Sequence, residues 1–328
     1  MRVVFRTKGS HSQGMGDVWS SLALAAECPL DDVLFILSGG DEAAAVVKEN
    51  GYLLEVAETA DKESEVLQAF SPHAIIVNKL NNPPAYIRSL KDRAPVVVTI
   101  DDAGTGGELA DLQFNVLYHT QGAYVEPEYI ALRREFQEMN GLTRMIRPGI
   151  RELLITQGGS DTYGFTPRII KGLKSMRCRP HCTVVLGPAF RHEVELAEAV
   201  RDSILDLRIV RDARNMAQLM WEADLAISAG GITLFELACI GIPALAVCGE
   251  RFELETASRL EALGTVINLG FGGDLKYERL ATAVDELDED VPRRRRMGER
   301  GKRLVDGKGS GRIMTRIRDY VLKKSLVA

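Results

Sequence analysis

A chain of 328 residues, 45% hydrophobic and 27% charged, has the size for two domains, each burying its own core. Its net charge of −5 excludes the basic imbalance of a general nucleic-acid binder. No stretch approaches the ~20 apolar residues of a membrane span, and Met1-Arg2-Val3-Val4-Phe5 is too short for a secretory leader, so the cytoplasm is the expected compartment.

In chain order, strands are expected at Arg2–Arg6, Val33–Leu37, Ala74–Val77, Val96–Ile100 and Phe114–Leu117, then Glu152–Thr156, Cys182–Leu186, Asp206–Val210, Leu225–Ser228, Ala244–Val247 and Val266–Leu269. Most are short continuous apolar runs, the mark of parallel strands covered on both faces. Helical periodicity fills the gaps at Ser20–Glu27, Asp41–Glu49, Lys62–Phe70 and Glu193–Val200. This α/β rhythm predicts two Rossmann-like doubly wound domains facing across a cleft, each with its ligand edge at the carboxyl ends of its strands.

Pro127–Met139 reads as a charged amphipathic helix, and the strand rhythm restarts after Arg147-Pro148-Gly149. The expected division is therefore residues 1–148, joined by the C-terminal helix 313–328, and residues 149–312. Arg293–Arg296 reads as a solvated helix face, and Ile313–Leu322 as a final amphipathic helix. Of the five cysteines, Cys28, Cys239 and Cys248 sit in apolar contexts as small buried hydrophobes. Cys178-Arg179-Pro180-His181-Cys182 has no second cysteine/histidine pair at zinc spacing, so no metal is expected. The sequence carries no signal for oligomeric state.

Two glycine turns stand out. Ser12-Gln13-Gly14-Met15-Gly16-Asp17-Val18 opens the first half, and Ser228-Ala229-Gly230-Gly231-Ile232-Thr233-Leu234-Phe235-Glu236 lies in the second. Each follows an apolar run and precedes a helical pattern, an arrangement that presents backbone N–H groups to phosphate. Gly14, Gly16, Gly230 and Gly231 let the backbone approach an anion, with Ile232 and Thr233 opening the second helix. Glu236, about one turn on, has the chemistry to accept hydrogen bonds from a ribose; the alternative is a tight packing turn with an ordinary first-turn glutamate. Asp17 is open between a general base and a helix cap. His11, on a polar Gly/Ser loop, is the second candidate for proton transfer. A third turn, Thr156-Gln157-Gly158-Gly159-Ser160-Asp161, either borders a ligand at Gly158 and Gly159 or is a plain left-handed turn. Asp101-Asp102 ends a strand, and neighbouring side chains there point apart, so one of the two is expected to cap a turn.

In this order the pieces resemble the nucleotide-sugar hydrolases of pseudaminic acid biosynthesis and the spore-coat polysaccharide proteins, members of the GT-B glycosyltransferase-like group. The resemblance runs from Gly14 to about Arg312 and rests on Gly14-Met15-Gly16, Ile100-Asp101-Asp102 and Tyr129–Phe136, followed by Gly158–Asp161, Ala223–Ile227, Gly230–Glu236, Gly241-Ile242-Pro243 and Val305–Gly309. It implies that a nucleotide sugar, usually UDP-linked, is the substrate, with no separate cofactor. Its phosphates would meet Gly230, Gly231 and Thr233, and its ribose Glu236. Asp17 and Ser20 stand where those hydrolases carry a histidine and an arginine, and Gly249–Glu253 replaces an Asn-Gln pair. Two functions follow: a glycosyltransferase or nucleotide-sugar hydrolase of surface polysaccharide or nonulosonic acid biosynthesis, with Asp17 as base, or a nucleotide-sugar-binding protein without catalysis.

Overall fold

The computed structural model describes residues 1–10, 14–211, 213 and 215–326. His11 lies outside the described residues. Two compact units are present: Met1–Arg134 with Gly307–Ala328, and Glu135–Asp306.

The first unit is built on strands β1 (Arg2–Gly9), β2 (Asp32–Gly39), β3 (Leu53–Val56), β4 (Ala74–Asn78), β5 (Val96–Ile100) and β6 (Leu112–Phe114). All pair in parallel, in the order β3-β2-β1-β4-β5-β6. Val3, Val4 and Phe5 of β1 are wholly buried, which is why this strand reads as an unbroken apolar run. Phe5 stacks on Phe35 at 5.2 Å between ring centres. The strand missed by sequence reasoning, β3, is an exposed edge strand without a buried face to pattern. The strand expected at Phe114–Leu117 ends at Phe114 instead, because Asn115 turns its amide onto Asp102.

Helices α1 (Gly16–Ala25), α2 (Asp41–Glu49), α3 (Ala60–Phe70) and α4 (Pro84–Lys91) connect these strands. The helix expected over Pro127–Met139 is not continuous: a 3₁₀ turn at Pro127–Tyr129 gives way to buried Ile130, Ala131 and Leu132 before α5 (Arg134–Asn140) begins. The interruption has a packing cause. A Cβ on Gly309 would fall 2.1 Å from the Ile130 carbonyl oxygen, so the segment runs directly against the chain's last helix.

The second unit repeats the topology with strands β7 (Glu152–Thr156), β8 (His181–Leu186), β9 (Asp206–Arg211), β10 (Leu225–Ser228), β11 (Ala244–Cys248) and β12 (Val266–Phe271). Their order is β12-β11-β10-β7-β8-β9, again all parallel. Helices α6 (Phe165–Gly172), α7 (Glu193–Arg201), α8 (Met216–Glu222), α9 (Ile232–Ile240), α10 (Arg251–Ala262), α11 (Glu278–Glu289) and α12 (Val291–Leu304) complete it. Its start lies ahead of the restart expected after Arg147–Gly149. Phe136 of α5 is fully buried, and Asn140 Nδ2 donates to the carbonyls of Cys239 at 2.7 Å and of Lys302 and Val305 at 3.2 Å, tying α5 into this unit.

Arg295 and Arg296 are exposed, as a solvated helix face requires, but Arg294 departs from that reading. It is 1% exposed, and its guanidinium donates to the carbonyls of Leu287 (2.8 Å), Arg147 (2.9 Å) and Pro148 (3.3 Å). The last helix, α13 (Gly309–Ser325), belongs to the first unit and buries Ile313, Met314 and Ile317 there. Lys324 bonds Asp111 at 2.7 Å, and Arg316 bonds the Tyr129 hydroxyl at 2.9 Å, fastening the helix along its length.

Candidate functional site

In each sheet the strand order reverses direction beside the first strand of the unit, and ligands of open parallel sheets settle at the carboxyl ends of the strands flanking that reversal. In the second unit those strands are β7 and β10. Their carboxyl ends carry Gly158-Gly159 and Gly230-Gly231, so the fold brings the two glycine turns to one sheet edge. The Ala229 N–H bonds the Thr156 carbonyl at 3.3 Å, linking the loops.

The Gly158 loop is fixed from beneath. Gly158 holds φ +74°, a conformation that favours glycine. Asp161 accepts from the N–H groups of Phe165 and Thr166, both at 2.8 Å, and so starts α6. Side chains added at Gly158 or Gly159 would meet open space, whereas one at Gly187 would strike the Gly159 carbonyl at 2.3 Å. The upper face of the loop is open and its lower face is packed.

Gly231 precedes α9 and brings no side-chain acceptor to the first-turn N–H groups at Ile232 and Thr233, which leaves the positive end of the helix available. Gly230 is constrained by packing: its Cβ would lie 2.6 Å from the Glu253 carbonyl and 2.9 Å from Cys248 Sγ. Glu236 sits on α9, half-buried.

Glu253 escaped the sequence reading. It closes a capping box with Glu250 at the start of α10, accepting from the Gly249 N–H at 2.7 Å and the Glu250 N–H at 3.3 Å, and the Gly230 N–H faces it as well. Burial raises its pKa above the usual glutamate value, while those N–H groups oppose the rise. The signal was present as Glu250-Arg251-Phe252-Glu253, a capping-box spacing. It places a carboxylate against the same glycines that the sequence marked for phosphate.

In the first unit the reversal lies between β1 and β4. Gly14 holds φ +95°, and its carbonyl accepts from the Ser10 N–H at 3.3 Å. A Cβ on Gly14 or Gly16 would meet nothing. Asp17 is the second residue of α1, and the residue preceding the helix is Met15, which makes no side-chain cap; the carboxylate of Asp17 has no hydrogen-bond partner among the described residues. Asn78, at the end of β4, instead pins this turn through Nδ2 to the Asp17 carbonyl (3.0 Å) and to the hydroxyls of Ser20 (2.7 Å) and Ser21 (3.0 Å).

Burial pushes the Asp17 carboxyl up to about 6, and nearby Lys8 opposes the rise. Asp101, at the end of β5, is pushed up to about 7 by burial, with the negative charge of Asp17 adding to it and the Leu117 N–H, 2.9 Å from its Oδ1, working against it. Two ionised carboxylates repel each other, so the second proton of the pair is the harder one to remove. Two carboxyls that lose their protons near neutrality therefore share the carboxyl edge of one sheet. Asp102 does the turn-capping: its Oδ1 accepts from the N–H groups of Gly104 (2.8 Å) and Asn82 (3.0 Å). Asp101 was missed because a strand-end Asp-Asp pair does not say which carboxylate meets the neighbouring helix.

The chain has the GT-B fold, two doubly wound parallel domains in succession. Among solved structures it is similar to MurG of Acinetobacter baumannii (TM-score 0.69, 15% identity, covering 97% of this chain and 100% of that one). It is likewise similar to Anabaena HepE in complex with UDP-glucose (TM-score 0.63, 14% identity, covering 97% and 100%). In sequence it is similar to the spore coat polysaccharide biosynthesis protein SpsG of Bacillus subtilis, 25% identical over 338 residues that cover 97% of this chain and 98% of that one. It is also 25% identical over 276 residues to an uncharacterized protein of Methanocaldococcus jannaschii, covering 78% of this chain and 57% of that longer one. No protein-family model matches the chain. No helix among the described residues is long and apolar enough to cross a membrane.

Proposed function

We propose that the protein is a nucleotide-sugar-dependent enzyme that breaks the sugar–phosphate bond of a UDP-linked sugar, by transfer to an acceptor hydroxyl or to water. The observation that carries this reading is the meeting of the Gly158 and Gly230 loops at the strand reversal of the second unit, with an uncapped helix start beside them. The diphosphate takes the N–H groups at Gly231, Ile232 and Thr233, Gly158 and Gly159 border it, and Glu236 accepts from the ribose hydroxyls. HepE, of the same fold, was crystallised with UDP-glucose, and the likeness to SpsG supports a place in surface polysaccharide or nonulosonic acid biosynthesis.

The proton acceptor in this reading is Asp17. An acceptor hydroxyl gives its proton to the Asp17 carboxylate as its oxygen bonds to the anomeric carbon. The bond from that carbon to the phosphate oxygen breaks, and its electron pair leaves with UDP. A carboxyl with a pKa of about 6 is largely ionised at pH 7 yet more basic than an ordinary aspartate, which suits a general base. The positive end of α9 stabilises the departing diphosphate.

The test is to measure UDP release from a panel of UDP-sugars, with and without glycan acceptors, alongside melting shifts. Release that requires Asp17 supports the proposal. A melting shift without release under any condition favours a binding protein, and no shift with any nucleoside diphosphate removes the nucleotide reading altogether.

A further inference from the structure

The first unit holds a pocket of about 590 Å³ that the proposed chemistry does not use. It opens at the carboxyl ends of β1, β2 and β4 and is lined by Lys8, Ser38, Gly39, Glu58 and Lys79, with Arg6 in its wall. Backbone geometry makes the opening. Gly39 holds φ +136°, and a Cβ there would lie 2.3 Å from the Gly9 carbonyl, so only glycine lets β2 turn across the end of β1. The Gly40 N–H then bonds the Gly9 carbonyl at 3.2 Å and closes the floor.

The charges of the pocket are unevenly satisfied. Arg6 is committed: its Nε donates to Glu63 at 3.0 Å, and its other nitrogens reach the Ser38 hydroxyl at 3.1 Å and the carbonyls of Thr7, Ile36 and Ala57. Glu63 also accepts from the Tyr86 hydroxyl at 2.6 Å, so both of its oxygens are used. Lys8 and Lys79 have no carboxylate within ion-pair distance among the described residues. Lys79 rests with Nζ 4.3 Å above the Tyr86 ring. Burial lowers its pKa to about 8, with Arg6 and Lys8 pushing it down further and Glu63 and Asp102 opposing. Glu58 is exposed, and its Oε1 accepts from the Gly39 N–H at 3.2 Å. Ser38 accepts from Arg6 and keeps its own hydroxyl hydrogen to donate.

With Arg6 balanced by Glu63, the pocket presents Lys8 and Lys79 against the single carboxylate of Glu58, a net positive lining that suits an anion. Ammonium groups bind phosphate oxygens as point charges, and a hydroxyl donor adds a directional contact. The volume exceeds what phosphate fills and leaves space for the group that carries it. We propose that this pocket is a separate phosphate-binding site for a phosphomonoester, held by Lys8, Lys79 and the Ser38 hydroxyl. The site is independent of the nucleotide loops in the second unit, so either assignment can fail while the other stands.

The experiment uses the full chain and titrates inorganic phosphate, a hexose 1-phosphate and farnesyl phosphate by calorimetry, with acetate as control, and follows the UDP melting shift in parallel. Lys8→Gln is exposed and fold-neutral; Lys79→Met keeps the stem over Tyr86. Each is expected to weaken phosphate binding at least tenfold, and the pair to abolish it, while the UDP shift stays unchanged. Binding should also fade above about pH 8 as Lys79 loses its proton. Tighter binding of the hexose phosphate, or of the farnesyl phosphate, than of inorganic phosphate identifies which carrier the remaining volume accepts. Phosphate binding retained in the double variant, equal binding of acetate, or no phosphate binding at millimolar concentration overturns the site.

Discussion

Replacing Asp101 by asparagine tests the carboxyl pair at the edge of the first sheet. The amide side chain keeps an acceptor for the Leu117 N–H, which lies 2.9 Å from Oδ1, and asparagine tolerates the left-handed backbone at this position, where φ is +46°. What the change removes is the titration. Burial and the charge of Asp17 raise the folded-state pKa from 3.8 to about 7, and each unit corresponds to about 1.4 kcal/mol, so ionised Asp101 costs at most about 4 kcal/mol. A raised acid binds its proton more tightly in the folded state than in the unfolded one. The stability it allows is therefore present below the unfolded pKa and is lost as pH rises towards the folded pKa. From pH 5 to pH 8 the penalty grows by roughly 2–3 kcal/mol, and the variant escapes it. Urea denaturation of both proteins at the two pH values should show Asp101→Asn gaining stability over the parent, with the gain larger at pH 8 by that amount. Carboxyl ¹³C titration should lose the step near 7 and keep the Asp17 step near 6. A stability difference that is the same at both pH values, or a step near 7 that survives the substitution, refutes the raised pKa of Asp101.

Asp17→Asn should lower UDP release by ~10²–10⁴-fold with little change in nucleotide affinity or Tm; surviving turnover, read by coupled UDP detection, returns Asp17 to a mere helix-start residue. Glu236→Ala should weaken UDP binding by roughly 1–3 kcal/mol, and unchanged calorimetric affinity with an intact fold removes its ribose role. Arg294→Ala should destabilise the second unit by about 3–5 kcal/mol in denaturant, because it removes the donor from the buried Leu287 carbonyl and the part-buried Arg147 and Pro148 carbonyls and opens a cavity. Lysine cannot span those carbonyls, so Arg294→Lys should recover only a minor part.

The sequence by itself determined the local elements and the class of fold. Val96–Ile100, Glu152–Thr156 and Leu225–Ser228 form strands at the residues expected, because an apolar run buried on both faces carries its own signature. The glycine turns were legible for a similar reason, since Gly14, Gly158 and their neighbours mark backbone conformations and approaches that other residues resist. Where burial comes from elsewhere in the chain, the local pattern misleads. Arg294 reads as solvated because nothing near it in sequence announces the carbonyls of Arg147 and Pro148, and Ile130 leaves its helical pattern because Gly309 arrives against it. The same holds for the chemistry. A parallel sheet sets side by side the ends of strands that are far apart in the chain. Only that adjacency decided that Asp101 feels the charge of Asp17, that Lys79 meets Lys8 and Arg6, and that Glu253 settles against Gly230. Proton affinity and charge pairing depend on distance and burial, and both are properties of the folded chain.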